Sequence, residues 1–282
     1  MKKLKEILSK TLSPEEISYI YGSYDIVGDI AIIRVTENSK KYSQRIAETI
    51  MRVHKNVKTV LAQTSPVLGD FRLRKLEHLA GEKKTVTVHK ESGCLFTVDV
   101  EKCYFSPRLF YERKRIAELV KNKETIVNMF AGVGCFSIVI AKNSNVNKIY
   151  SIDLNPTAVQ YMQENIRINR VYGKVVALEG DAKEIVQKSL CAIADRVLMP
   201  LPEKALEYLP YALIALKNSG GWIHYYAFEH ATKEENPIEK GKAKVAERLE
   251  TLNTNFEIQF GRVVRATGPN WYQIVLDISV KK

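Results

Sequence analysis

The sequence predicts an α/β protein, with a small α+β module over residues 1–100 and a parallel sheet flanked by helices over 101–282. Three observations carry this. From residue 125 onward, short apolar runs alternate with helix-length segments, the signature of successive β-α-β units. The first such unit joins Thr125-Ile-Val-Asn-Met-Phe130, a buried strand, to Phe136-Ser-Ile-Val-Ile-Ala141, a helix, through Ala131-Gly-Val-Gly134. Two glycines there let the backbone turn sharply and approach a ligand. Before residue 100, strand and helix patterns mix without that alternation.

In the module, Lys3–Leu12 and Pro14–Ile20 read as helices, and Tyr24–Val27 and Ile30–Val35 as strands. Ser39–His54 is an amphipathic helix with Ile46, Ile50 and Val53 on one side, and Val57–Leu61 another strand. Asp70–Gly81, rich in Arg and Lys, reads as a basic segment between strands. Lys84–His89 and Cys94–Val98 flank Glu91-Ser-Gly93, a hairpin pattern. Ser106-Pro107 starts a helix that runs to Val120, with serine as N-cap and proline in the first turn.

After the glycine turn, Asn147–Ile152 is a second strand with Asp153 at its carboxyl end, and Asn155-Pro156 opens a helix to about Asn169. Lys174–Leu178 is a third strand, followed by Asp181, and Asp195–Met199 a fourth, ending in Pro200-Leu-Pro202. Glu203–Leu216 and Pro237–Leu252 are helices around the strand Gly221–Tyr226. Phe256–Phe260 and Tyr272–Val280 close the chain as a paired antiparallel ribbon.

Charge narrows the function. A formal net charge of +11 on 282 residues favours a polyanionic partner. No apolar run is long enough to span a bilayer and no signal peptide is read at Met1-Lys-Lys, so nucleic acid is expected over membrane, in the cytoplasm. Four cysteines and five histidines lack metal-ligand spacing, so no metal is expected.

Ligands of such sheets sit outside the carboxyl ends of the strands. Those ends carry Gly132 and Gly134, Asp153, Asp181 and Pro200-Leu-Pro202. Asp153 follows the glycines at the distance where an acid holds ribose hydroxyls. Position 137 is serine where a dinucleotide fold wants a third glycine, and no P-loop Lys-Ser/Thr follows. The corner therefore suits an adenosine without pyrophosphate, with S-adenosylmethionine the leading cofactor. Asp181-Ala182 suits the adenine edge, and Asp181 equally suits a helix N-cap. Pro200-Leu-Pro202 offers carbonyls and shape but no polar side chain, which argues against methylation of an adenine amine. A plain rigid turn is the other reading of Pro202.

Tyr104-Phe-Ser-Pro-Arg-Leu-Phe-Tyr-Glu-Arg113, Met129–Ser137, Ile152-Asp-Leu-Asn-Pro156, Asp195–Pro202 and Gly221–Tyr226, in this order, resemble the archaeal and eukaryotic tRNA (guanine-37) N1-methyltransferase family. The resemblance runs from about residue 70 to the C-terminus. It implies a class I, Rossmann-like methyltransferase domain, S-adenosylmethionine as cofactor and tRNA as partner, with a monomer expected. By the same resemblance, Glu112 is the general base and Arg72 the arginine on guanine O6. Arg113, Asp153, Asp181 and Pro200 fall at cofactor positions, together with Phe105, Ser106, Arg108, Phe130, Gly132, Gly134, Leu154 and Ala182. Arg74, Tyr104 and Pro202 join Arg72 at the substrate.

The chemistry agrees with those roles. Guanine N1 is protonated at neutral pH, so a carboxylate must remove that proton before the nitrogen can attack. The charge left on O6 is stabilised by a guanidinium more in the transition state than in the ground state. Without the resemblance, Glu112 also fits a helical acid paired with Arg108 or Arg115, and Arg72 a phosphate contact. Arg108, Arg113, Lys114 and Arg115, with Arg72, Arg74 and Lys75, are expected to form a basic track around the pocket, with Phe105, Phe110 and Tyr111 stacking an extruded base.

The sequence departs from the family at three motif positions. Asn128 stands where the family usually has aspartate, and Cys135 where proline is common. Pro200-Leu-Pro202 replaces Asn-Leu-Pro and is similar to an archaeal subgroup that also methylates C7 of a tricyclic wyosine precursor. The chain begins almost at the family's second module, so the extra domain that grips the tRNA elbow is not expected. Two rivals stand beside this reading. One is the wybutosine-pathway aminocarboxypropyltransferase, disfavoured because it carries Met-Gly-Tyr where this chain has Met199-Pro-Leu. The other is a silent RNA-binding homologue, disfavoured by an intact Asp153 and Glu112.

Overall fold

The computed structural model describes residues 4–281, and the chain divides into two compact units between Phe110 and Tyr111. The Lys3 end of the first expected helix lies outside the described residues.

The first unit opens with helices α1 (Leu4–Leu8) and α2 (Pro14–Ser18). A reciprocal cap starts α2: the Glu16 amide donates to Ser13 Oγ at 3.3 Å and the Ser13 amide to Glu16 Oε2 at 2.7 Å. Strands β1 (Tyr24–Val27) and β2 (Ile30–Arg34) pair antiparallel; after the helix α3 (Ser43–Val53) comes β3 (Thr59–Gln63), parallel to β2. Leu8, Ile33, Ile46, Ile50 and Val60 pack together, so the apolar side of α3 covers this sheet. A fourth strand, β4 (Leu76–Gly81), pairs antiparallel with β3. This corrects the reading of 70–81 as a basic connection, whose charges mask a short strand. The hairpin β5 (Val86–Glu91) and β6 (Cys94–Asp99) turns at Ser92 and Gly93, both with positive φ.

Ser106 does not cap a long helix. A single 3₁₀ turn over Pro107–Leu109 precedes α4 (Phe110–Leu119), and the Ser106 side chain makes no capping hydrogen bond.

The second unit holds β7 (Thr125–Asn128), α5 (Cys135–Asn143), β8 (Lys148–Asp153), α6 (Pro156–Ile168), β9 (Val175–Glu179), α7 (Ala182–Ser189) and β10 (Arg196–Met199). It continues through α8 (Ala205–Ala215), β11 (Gly221–His230), α9 (Pro237–Thr251), β12 (Asn255–Gly268) and β13 (Trp271–Lys281). The sheet order is β12-β13-β11-β10-β7-β8-β9. Pairings from β9 to β11 are parallel, and β13 and β12 add the antiparallel ribbon. This is the Rossmann-like α/β fold that the sequence predicts. The ribbon is longer than read from sequence, because β11 runs four residues past Tyr226 and β12 eight past Phe260.

Both faces of the sheet are covered. Val127, Val197, Ile223 and Ile274 pack with Val186 of α7, Leu209 of α8 and Leu249 of α9. The opposite-parity positions Asn128 and Ser151 meet Ser137 of α5. From β7 the chain steps to β8 and β9 on one side, while β10 and β11 lie on the other. The order reverses between β7 and β10, where ligands of open α/β sheets bind.

Candidate active site

The glycine corner is built as its sequence requires. Gly132 and Gly134 take φ of 56° and 90°, left-handed values that glycine adopts without cost. A Cβ on Gly134 would lie 3.0 Å from both Ile138 Cδ1 and Met162 Cγ. The loop is pinned from two sides. Asn165, buried on α6, donates Nδ2 to the Val133 carbonyl at 3.0 Å, and the Gly132 amide donates to Asp153 Oδ2 at 2.6 Å. Asp153 Oδ1 accepts the Asn155 amide at 3.0 Å. Each carboxylate oxygen thus accepts one backbone donor and keeps capacity for a ribose hydroxyl. Burial raises the Asp153 pKa, and the two backbone donors only partly offset it. Leu154, 47% exposed beside it, offers apolar surface.

Asp181 caps α7, accepting the Lys183 amide at 2.9 Å, and it also receives the Tyr208 hydroxyl at 3.0 and 3.1 Å. The capping role is therefore real, and it fixes the carboxylate at the end of β9. Phe130 packs edge-on against Tyr208, with centroids 5.2 Å apart. Ala182 and Pro202 are buried and Pro200 is half-buried. A glycine turn without side chains in the way, a ribose-type acid and an apolar shelf suit an adenosine, so these residues fit S-adenosylmethionine.

Glu112, on the first turn of α4, is 1% exposed. Its Oε1 accepts Arg115 Nη2 at 2.7 Å and the Tyr226 hydroxyl at 2.9 Å. Arg115 Nε lies 3.1 Å from both carboxylate oxygens, and Arg262 Nη2 is 3.4 Å from Oε2. Burial, then the Glu112 charge, pushes the Tyr226 phenol well above its ordinary range, so it keeps its proton and donates it to Glu112. Arg262 also lies over the Tyr111 ring at 4.7 Å. Of the two pairings weighed for Glu112, the one with Arg115 forms.

In the first unit, Arg72 stands in a tight turn, where Leu68 and Leu73 exchange backbone hydrogen bonds. Its φ is +55°, uncommon for a residue with a side chain. Its guanidinium lies 4.3 Å from the Tyr104 ring centroid, so the structure brings these two expected substrate residues together. Arg74 Nη1 donates to Gln63 Oε1 at 3.3 Å, and Arg108 pairs with Asp25 at 2.6 Å. Burial lowers the Arg74 pKa against support from Asp25 and Tyr104.

Two expectations need correction. Phe105 is buried against His89 and Phe96, so it does not offer a ring to an extruded base, whereas Phe110 and Tyr111 are exposed. The basic track along α4 does not form as read. Arg113 is buried and Arg115 is spent on Glu112 and Asp277, which leaves Lys114 at the surface. Tyr226, Arg262 and Asp277 were missed, because only strand pairing brings them to Glu112. Among the described residues, no cluster of His, Cys, Asp or Glu is placed to hold a metal, and no helix is long and apolar enough to cross a membrane.

A glycine-cornered parallel sheet with a ribose-type acid at its second strand and an antiparallel ribbon at its edge defines a class I methyltransferase. Residues 87–254 match the TRM5/TYW2 methyltransferase domain and residues 4–85 the TYW2 N-terminal domain; the chain belongs to the TRM5/TYW2 family. It is 40% identical to the tRNA (guanine(37)-N(1))-methyltransferase Trm5b of Pyrococcus abyssi, over 95% of this chain and 78% of that protein. It is 39% identical to the tRNA 4-demethylwyosine(37)-methyltransferase Taw21 of Saccharolobus solfataricus, over 92% and 94%. With the tRNA(Phe) (4-demethylwyosine(37)-C(7)) aminocarboxypropyltransferase of Methanocaldococcus jannaschii, identity is 33% over 92% and 98%. Among solved structures, aTrm5 in complex with tRNALeu superposes at a TM-score of 0.85, with 35% identity over 99% of this chain and 78% of that one. TYW2 of M. jannaschii in complex with AdoMet gives 0.68, with 27% identity over 92% and 100%. The family's cofactor is S-adenosylmethionine.

Proposed function

We propose that this chain transfers the methyl group of S-adenosylmethionine to N1 of guanine 37 in tRNA. The observation that carries the reading is the buried Glu112 carboxylate, held in one orientation by Arg115 and Tyr226. A positioned acid is what a nitrogen needs when its lone pair is masked by a proton. In this reading Gly132, Gly134, Asp153, Leu154, Asp181 and Ala182 hold the adenosine, and Arg113, Pro200, Phe105, Ser106, Arg108 and Phe130 complete the cofactor contacts.

Bound S-adenosylmethionine supplies a methyl group on a positively charged sulfur. Glu112 takes the N1 proton, and the freed N1 pair forms the new N–C bond. The old S–C bond breaks and its electron pair stays on sulfur, releasing S-adenosylhomocysteine. Arg72 receives the charge that develops on O6, with Arg74, Tyr104 and Pro202 orienting the base. The protein acts as a monomer in the cytoplasm, where unmodified tRNA is available.

Pro200-Leu-Pro202 and the likeness to Taw21 favour a second activity, methylation of C7 on the wyosine precursor. One experiment separates the readings. The protein is incubated with S-adenosylmethionine labelled on the methyl and on the aminocarboxypropyl group, with unmodified tRNA transcript or with tRNA carrying the precursor. Methyl label on guanine of the transcript supports the main reading. Aminocarboxypropyl label on the tricycle, or no transfer to either tRNA, rejects it. Glu112→Gln is expected to reduce methylation about 10²–10⁴-fold.

A further inference from the structure

Glu112 is the end of a continuous chain of ionisable side chains through the interior of the second unit. Glu124 Oε2 accepts Arg196 Nε at 2.7 Å, and Arg196 Nη1 meets His224 Nε2 at 2.6 Å. His224 Nδ1 lies 2.6 Å from Asp277 Oδ1, and Asp277 Oδ2 accepts Arg115 Nη1 at 2.6 Å. Arg115 then reaches Glu112 through Nη2 and Nε.

The donors fix the direction of every link. Arginine has no acceptor, so His224 Nε2 accepts from Arg196 and the imidazole proton sits on Nδ1, donated to Asp277. Burial and the neighbouring arginines lower the His224 pKa despite Asp277, so the ring stays neutral. Burial opposes the charge on Asp277, but His224 and Arg115 outweigh it and hold the carboxyl well below its usual range. Arg115 behaves likewise: burial is overcome by Asp277 and Glu112, and its pKa rises.

Arg115 therefore forks between two acids, and neither edge of the guanidinium can turn without breaking a charged hydrogen bond. At Glu112, Tyr226 and the shortest Arg115 contact both fall on Oε1. Among the described residues, Oε2 keeps only Arg115 Nε at 3.1 Å and Arg262 at 3.4 Å. It is the oxygen left to receive a proton.

We propose that Asp277 is a positioning residue for methyl transfer. Through Arg115 it locks the Glu112 carboxylate so that Oε2 faces the incoming base. His224 and Arg196 hold Asp277 in turn. This rests on the reading of Glu112 as the base, and the test keeps the two apart.

Single-turnover methylation of tRNA transcript, with KM for both substrates, is measured for Glu112→Gln, Asp277→Asn, Arg115→Lys and the pairs Glu112→Gln/Asp277→Asn and Glu112→Gln/Arg115→Lys. Binding of S-adenosylmethionine serves as the folding control. Asp277→Asn is expected to lower the rate about 10- to 100-fold with both KM values unchanged. Combined with Glu112→Gln it adds no further loss, because both act through one carboxylate. Arg115→Lys keeps the charge but loses the fork, so it gives the same pattern and carries the test if Asp277→Asn does not fold. An unchanged rate in Asp277→Asn, or losses that multiply with Glu112→Gln, overturns the proposal while leaving the base intact. Full activity in Glu112→Gln overturns the base reading and this proposal with it.

Discussion

Asn128 and Ser137 are joined by a buried hydrogen bond, Nδ2 to Oγ at 3.1 Å, which ties the central strand to the helix after the glycine turn. Ser151 adds its hydroxyl to the same Oγ at 2.7 Å. A dinucleotide fold lets helix and strand approach here by means of glycine. This chain instead spends a polar triad on the contact, and aspartate at position 128 would place a charge in it. Ser137→Ala is expected to leave two buried donors without acceptors and to lower stability by about 1–3 kcal/mol. Thermal and urea unfolding check this, and a weaker affinity for S-adenosylmethionine is expected as the corner loosens.

Asp153 presents the next prediction. Asp153→Ala removes the acceptor of the Gly132 amide along with the acid proposed for the ribose, so calorimetry should show S-adenosylmethionine affinity reduced at least about tenfold, or 1.4 kcal/mol. Affinity for tRNA should stay within about twofold. Because the free carboxyl has a raised pKa, and ribose hydroxyls donate best to the ionised form, cofactor affinity should fall as the pH drops toward that value. Pale or absent pH dependence in wild type would remove the ribose role.

His224 makes a prediction about stability. Its folded pKa is lowered, chiefly by burial, so the unfolded chain binds the proton more readily. Between the folded value and the unfolded value near ~6.5 the unfolded state holds more protons, so stability falls as pH decreases through that window. The slope approaches about 1.4 kcal/mol per pH unit for one proton. His224→Gln keeps a donor and an acceptor but does not titrate, and its melting temperature should fall less steeply below pH ~6.5 than that of wild type. Asp277, with its lowered pKa, adds a further loss only below the ordinary carboxylate range, near pH ~3.9.

The contrast between Asp153 and Asp277 explains what the sequence could reveal. Asp153 was legible because strand, glycine turn, helix and the next strand end lie within one short β-α-β unit, where spacing alone fixes position. The parallel sheet was legible for the same reason. Asp277 and His224 lie 53 residues apart and face each other only because β11 and β13 pair in that register. In one dimension each is a polar residue in an apolar strand. Strand β4 was hidden differently: Arg72, Arg74 and Lys75 dominate the segment, and its pairing with β3 depends on tertiary contact. The stacking role expected of Phe105 fails for another reason: its motif neighbours concern ligand, while its own ring fills the interior beside Phe96.

Arg72 supports the sharpest division between chemistry and simple attraction. Its backbone is left-handed, and its guanidinium rests on the Tyr104 face, which fixes the planar group rather than leaving it to sweep solvent. If it stabilises the charge on O6, Arg72→Lys should fail to substitute, because a lysine cannot present a planar fork. The rate at saturating tRNA should then drop about 10²–10³-fold, as for loss of an oxyanion donor, with tRNA affinity almost unchanged. If Arg72 only contacts phosphate, lysine should substitute well, and Arg72→Ala should weaken binding and reduce the slope of log affinity against log salt by about 1. Single-turnover rates, together with filter binding over a salt series, distinguish the two, and the first outcome is expected.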